Sequence, residues 1–137
     1  IFRWKFWCKP MPPNFSSAFY GVLHDFKKDD ALRIFKNYYS PESGRAICEI
    51  GFPFFYSNSP TKVDEKDILC PTLIIGSGRD RITPIQISKK LKKKLGKKTE
   101  LIIFEKFSHY ILEGNEFKEV FAKITDWISK KIGDSAV

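Results

Sequence analysis

Two short apolar runs, Thr72 to Ile75 and Leu101 to Phe104, constrain the fold most, because each stops abruptly at a turn. Neither alternates polar with apolar residues as a strand with one wet face would, so each reads as a strand covered on both faces. Pro71 suits the opening of the first strand, where a missing N–H is tolerated. Gly76 and Gly78 suit a tight exit turn. Thr83 and Pro84 then have the form of an N-cap followed by Pro at the first helical position. The helix they open is expected to run to about Leu95 and stop at Gly96. Strand, helix and strand make one parallel crossover unit, which delivers both exit turns to the same edge of the sheet.

The remaining segments arrange themselves around that unit. Phe117, Val120, Phe121, Ile124, Trp127 and Ile128 form one apolar stripe with charges opposite, the pattern of a long C-terminal helix. Composition changes near residue 61: the first 60 residues hold 15 of the 21 aromatic side chains. Phe15, Phe19, Val22 and Phe26 step by helical intervals from a start near Asn14. Asp29 or Asp30 is expected to cap a second helix through about Tyr39, before Pro41. PESGRAICEIGF reads as one or two further helical turns, and SNSPTK as a linker. The expected division is therefore a mostly helical segment over residues 1–61 and an α/β segment over 62–137.

Composition excludes several functions. The net charge is +8, but the seven lysines of residues 89–98 supply +7 of it, so the remainder carries +1. Those lysines surround Ile87, Leu91 and Leu95, spaced as one helix face, and the run has neither Arg nor interleaved aromatics to stack on bases. A solvated helix face, with no nucleic-acid partner, is the expectation. No uncharged run approaches the roughly 20 residues of a membrane span. Cys8, Cys48 and Cys70 are widely separated, and His24 and His109 are isolated, so no zinc site is expected. Cys70 reads as a small buried hydrophobe, and the cysteine usage fits a reducing cytoplasm.

The exit turns carry the chemistry. Asp80 follows the first strand and His109 the second, which in that chain order are two members of a Ser…Asp…His triad. The third is absent, since no G-x-S-x-G occurs in the sequence. Ser77 lies in IGSGRD and Ser43 in PESGR, neither in a strand-to-helix elbow. Alone, Asp80 could equally bond the amides of its own turn, and His109 could be an ordinary loop histidine. Each following its own strand across one crossover unit favours a shared site. His24 reads as a helix-surface residue, and Glu42 with Arg45 as a local ion pair or packing element.

Residues 68–84 (ILCPTLIIGSGRDRITP) and SHYIL, Ser108 to Leu112, resemble the acid and histidine segments of the α/β-hydrolase superfamily. The aromatic N-terminal segment is similar to the helical cap many members insert before the acid-bearing strand. PESGRA with Glu49 resembles a bacterial esterase/lipase-like branch. One departure is Ser108, where Gly is more usual. The resemblance implies the C-terminal portion of that fold, with Asp80 and His109 catalytic and the serine upstream of this chain. It implies ester hydrolysis without metal or organic cofactor, on a small apolar ester-like substrate. It also implies the missing N-terminal half of the fold as a partner, without which the chain is inactive and marginally stable. Ile1 to Trp7, already rich in large apolar side chains, resembles a cut through a folded region. Two alternatives stay open: an Asp nucleophile, as in dehalogenase-like and epoxide-hydrolase-like relatives, or a non-catalytic remnant or split-gene half. Trp4, Phe6, Trp7, Phe52, Phe54, Phe55 and Tyr56 either line an apolar pocket or seal the helical segment onto the core.

Overall fold

Side-chain caps open two of the three N-terminal helices of the computed structural model, which describes residues 6–55, 57–58, 61–113 and 115–134. After a short strand β1 (Pro10–Met11), Asn14 accepts the N–H of Ser17 through its side chain at 3.0 Å and opens helix α1 (Phe15–Gly21). Helix α2 (Lys28–Tyr38) begins after Lys27 without a side-chain cap. Asp29 and Asp30 thus lie inside its first turn, where their charge complements the helix dipole, and do not cap it. Strand β2 (Glu42–Ser43) pairs antiparallel with β1, and Ser43 caps helix α3 (Gly44–Gly51) by accepting the N–H of Ala46 at 3.3 Å.

The α/β segment follows. Strand β3 (Thr72–Ser77) runs two residues beyond the apolar run, through Gly76. Helix α4 (Ile85–Leu95) starts after Pro84, one residue later than the Thr83 cap predicts. The Thr83 N–H is already held by Asp80, as described below. Gly96 ends α4 at φ 79°, a left-handed backbone that favours glycine. Strand β4 (Thr99–Phe104) lies parallel to β3 in the register Thr72 to Thr99 through Ser77 to Phe104. The order β3–α4–β4 is thus the expected crossover, and the protein is a mixed α/β structure with one two-stranded parallel sheet among its described residues. Helix α5 (Asn115–Asp134) closes the chain, tied to β4 by Lys131 and Glu100 at 2.9 Å. No helix of the described residues is long and apolar enough to cross a membrane.

Burial is uneven. Leu23, Ala31 and Ile34 form the fully buried centre, with Phe15, Phe19, Val22, Phe26, Phe35, Tyr39 and Tyr110 packed around it. Each of these large apolar side chains contributes about 1.5–3 kcal/mol if fully buried. Around the sheet the picture reverses. On α5 Val120 is 2% exposed, but Phe117, Phe121 and Ile128 of the expected stripe stay exposed. The helix α4 face against the sheet uses the buried Ser88, which lies 3.3 Å from where a Cβ on Gly76 would sit. Ile87 and Leu91 remain exposed instead of forming the buried stripe that their spacing suggests. Thr72 to Ile75 are half-buried, not covered on both faces, and Cys70 is exposed rather than buried. Two strands give too little surface to cover a 20-residue helix and a second amphipathic one.

At the exit of β3, Gly78 is required for close approach rather than for an unusual φ. A Cβ there would sit 2.7 Å from the Cα of Glu105 and closer still to its carbonyl oxygen. Gly78→Ala should therefore force two backbones apart and cost about 1–3 kcal/mol in urea unfolding. An unchanged midpoint would show that the turns separate without penalty.

Candidate active site

Asp80 and His109 meet across the two exit turns. The Asp80 Oδ2 lies 2.9 Å from His109 Nδ1, while Oδ1 accepts the N–H groups of Ile82 and Thr83, each at 2.7 Å. One oxygen of Asp80 thus organises its own turn and the other holds the histidine. Its side chain is 10% exposed and that of His109 37%. Burial alone would raise the Asp80 carboxyl. The bonds from Thr83, His109 and Ile82 outweigh burial and hold it below the ordinary carboxylate range. Asp80 is therefore an acceptor only, so His109 Nδ1 carries the proton and Nε2 of the neutral ring is left to accept one.

The sheet sets this geometry through the backbone. Gly78 N–H donates to Phe104 carbonyl and Arg79 N–H to Phe107 carbonyl, both at 2.9 Å, so the first turn is stitched to the second. Phe104 and Phe107 stack at 5.0 Å beneath that seam. His109 is gripped on either side: Ser108 is buried, and Tyr110 packs edge-on against Phe26 with ring centroids 5.8 Å apart.

The N-terminal segment clasps the same turn at three points. Arg79 pairs with Asp25 at 2.6 Å. Arg81 donates to the Tyr20 carbonyl at 3.0 Å and places its guanidinium 4.8 Å over the Tyr20 ring. A Cβ on Gly21 would meet the Ile82 side chain at 2.7 Å, which shows how closely these residues approach. Arg33 and Glu113, 2.7 Å apart, tie α2 to the chain just past the histidine. Arg79, Arg81 and Ile82 lie in the acid-bearing segment, whereas their partners Tyr20, Gly21 and Asp25 carry no sequence signal that pairs them with it.

A cleft of 960 Å³ opens beside His109, between α1, the end of α2 and the histidine turn. Val22, Tyr38, Tyr39, Ile82 and Tyr110 form much of its wall. None of the described aromatic residues expected either to line a pocket or to seal the helical segment onto the core borders this cleft. Phe52, Phe54 and Phe55 are exposed and pack on one another, and Trp7 borders a separate 380 Å³ cavity. Trp4 and Tyr56 lie outside the described residues, as does the Phe6 side chain. Helix α3 reaches the cleft only through Ile47, and the Phe-rich stretch after Gly51 does not border it.

Two other readings change. His24 is not on a helix surface, because α1 ends at Gly21 and position 24 falls in the following turn. Its side chain is 7% exposed, Nε2 lies 3.7 Å from Asp25, and Nδ1 is buried with no hydrogen-bond partner among the described residues. Arg45 pairs not with Glu42 but with Glu49, one helical turn on, at 2.7 Å. Ser77 is buried at the end of β3, and among the described residues no serine, threonine or cysteine side chain hydrogen-bonds His109. Nor do any three His, Cys, Asp or Glu side chains of the described residues gather as a metal site would require.

The lowered carboxyl of Asp80 fixes the sign of its acid response. The folded chain holds this proton less tightly than the unfolded chain, so the contribution to stability is fully present above about pH 4. It is lost as pH falls through the lower folded value. Asp80→Asn should flatten that part of the acid unfolding profile and abolish a protected Nδ1–H signal of His109 in proton NMR. A variant that keeps both would dissociate the pair from the stability of the turn. No protein-family model, no curated protein and no solved structure matches this chain.

Proposed function

We propose that this chain is the acid- and histidine-bearing part of an α/β-hydrolase that cleaves carboxylic esters. Its nucleophilic serine would come from residues outside this sequence, and residues 1–61 would act as the helical cap. The observation that carries the reading is the 2.9 Å bond between Asp80 Oδ2 and His109 Nδ1 at the ends of adjacent parallel strands.

In this reading a serine hydroxyl, a poor nucleophile near neutral pH, gives its proton to His109 Nε2 as its oxygen adds to the ester carbonyl. The imidazolium that forms is stabilised by the Asp80 carboxylate through Nδ1–H. His109 then passes the proton to the leaving alkoxide as the carbon–oxygen bond breaks. Water repeats the sequence on the acyl-enzyme: its proton goes to Nε2, its oxygen to the carbonyl carbon, and the proton returns to the serine oxygen. No step uses a metal or an organic cofactor. The buried side of Asp80 supports the electrostatic role, because a charge pair is worth more away from water. The apolar wall of the cleft beside His109 supports a small, uncharged ester as substrate.

The test uses the native protein together with any sequence preceding residue 1. It should carry a serine elbow and hydrolyse a neutral p-nitrophenyl ester, and His109→Ala should lower kcat by about 10³-fold or more. The 137-residue chain by itself should show no turnover. An Asp at the elbow would move the reaction to carbon–halogen or epoxide opening. Full activity in His109→Ala would end the triad reading.

A further inference from the structure

We propose that the cleft beside His109 is charge-selective: it admits uncharged and cationic organic groups and rejects carboxylates, with Glu42 as the discriminating residue. This rests on taking the cleft as the substrate side of the hydrolytic site, and it adds which substrates that side accepts.

The chain as a whole carries +8, so a generic surface groove on it would favour anions. The cleft is built the other way. No lysine or arginine lines it, and Glu42 is its one permanently charged residue. Arg45, the cation nearest to Glu42 along the chain, is engaged by Glu49 at 2.7 Å, and among the described residues Glu42 makes no ion pair. Glu113, the carboxylate acting on Tyr110, is matched by Arg33 at 2.7 Å. Lys9 borders, with Glu42, only the 380 Å³ cavity and makes no ion pair with it among the described residues, so the Glu42 charge meets no cation in the wall of the 960 Å³ cleft.

The other walls agree with that sign. Tyr38, Tyr39 and Tyr110 bring three phenol rings, whose faces attract cations and pack on neutral aryl or alkyl groups. Burial raises the Tyr39 phenol and, with Glu113 and Tyr38, that of Tyr110, so both stay neutral hydroxyls at physiological pH. A carboxylate would find hydroxyl donors there but no cation to offset the loss of its hydration. At 960 Å³ the cleft is large enough for an aryl or medium acyl group.

Three probes that share one ring separate charge from shape: benzyltrimethylammonium, benzyl alcohol and benzoate, titrated at low salt into the unmodified 137-residue chain. Binding is read from the ring signals of Tyr39, Tyr110 and His109. Those residues border this cleft but not the 380 Å³ cavity that shares Glu42. The cation should bind at least as well as the alcohol, and benzoate should bind about fivefold or more weakly than the cation. Glu42→Gln, at an exposed position, should bring cation and benzoate to within about twofold of each other. Benzoate binding as tightly as the cation, no shift at Tyr39 or Tyr110 with any probe, or an unchanged order in Glu42→Gln would overturn the proposal. Because no turnover is read, failure of ester hydrolysis would remove the triad and leave this order standing. Loss of the order would remove the charge filter and leave the Asp80–His109 pair standing.

Discussion

The site depends on how closely two backbone turns can approach at Gly78. Parallel pairing brings the ends of β3 and β4 side by side, but a sheet alone leaves the loops beyond it free to splay. Removing the Cβ at Gly78 lets the first turn settle against Glu105, and the amides of Gly78 and Arg79 then bond the carbonyls of Phe104 and Phe107. These are backbone bonds, so they fix position without depending on side-chain rotamers. Asp80 Oδ1 then folds its own loop around Ile82 and Thr83, leaving Oδ2 aimed at the histidine. One missing methyl group thus stands at the head of a chain of constraints that ends in a 2.9 Å hydrogen bond.

The apolar core lies elsewhere. Leu23, Ala31 and Ile34 are buried where α1, the turn after it and α2 meet, whereas the strands are only half-buried and α4 and α5 leave large apolar side chains exposed. Tyr110 joins the two parts. It belongs to the core cluster while its neighbour His109 borders the cleft, so the best-packed part of the molecule holds the histidine loop from one side. The arrangement favours rigidity on the side of the turn that holds Asp80 and His109.

The crossover unit and the meeting of Asp80 with His109 were legible in the sequence. A strand ending at Gly, a helix ending at Gly96 and a second strand leave few arrangements, and handedness removes most of those. Asn14 was legible as a cap for the same reason, since its chemistry is local. The misreadings concern residues whose fate depends on distant partners. His24 was placed on a helix that in fact stops at Gly21, and burial in a turn leaves no periodic trace. Cys70 reads as buried from hydrophobicity alone, but burial needs a second surface, and the residue is exposed. The cleft leaves no trace in the sequence because Tyr110 lies some seventy positions from Tyr38 and Tyr39, and all three look, in the chain, like ordinary packing residues.

Arg81 gives the clasp a further meaning. Helix α1 has no basic residue in its own last turn, so its C-terminal carbonyls lack the cation that usually steadies a helix end. The guanidinium at the Tyr20 carbonyl comes instead from the loop that carries Asp80, far away in sequence. The helix therefore borrows its terminal charge, and the lender is the catalytic candidate's own turn. Fraying of α1 and loosening of the acid loop become one event, so a seven-residue helix too short to persist alone acts as a latch on the geometry of the Asp80–His109 pair.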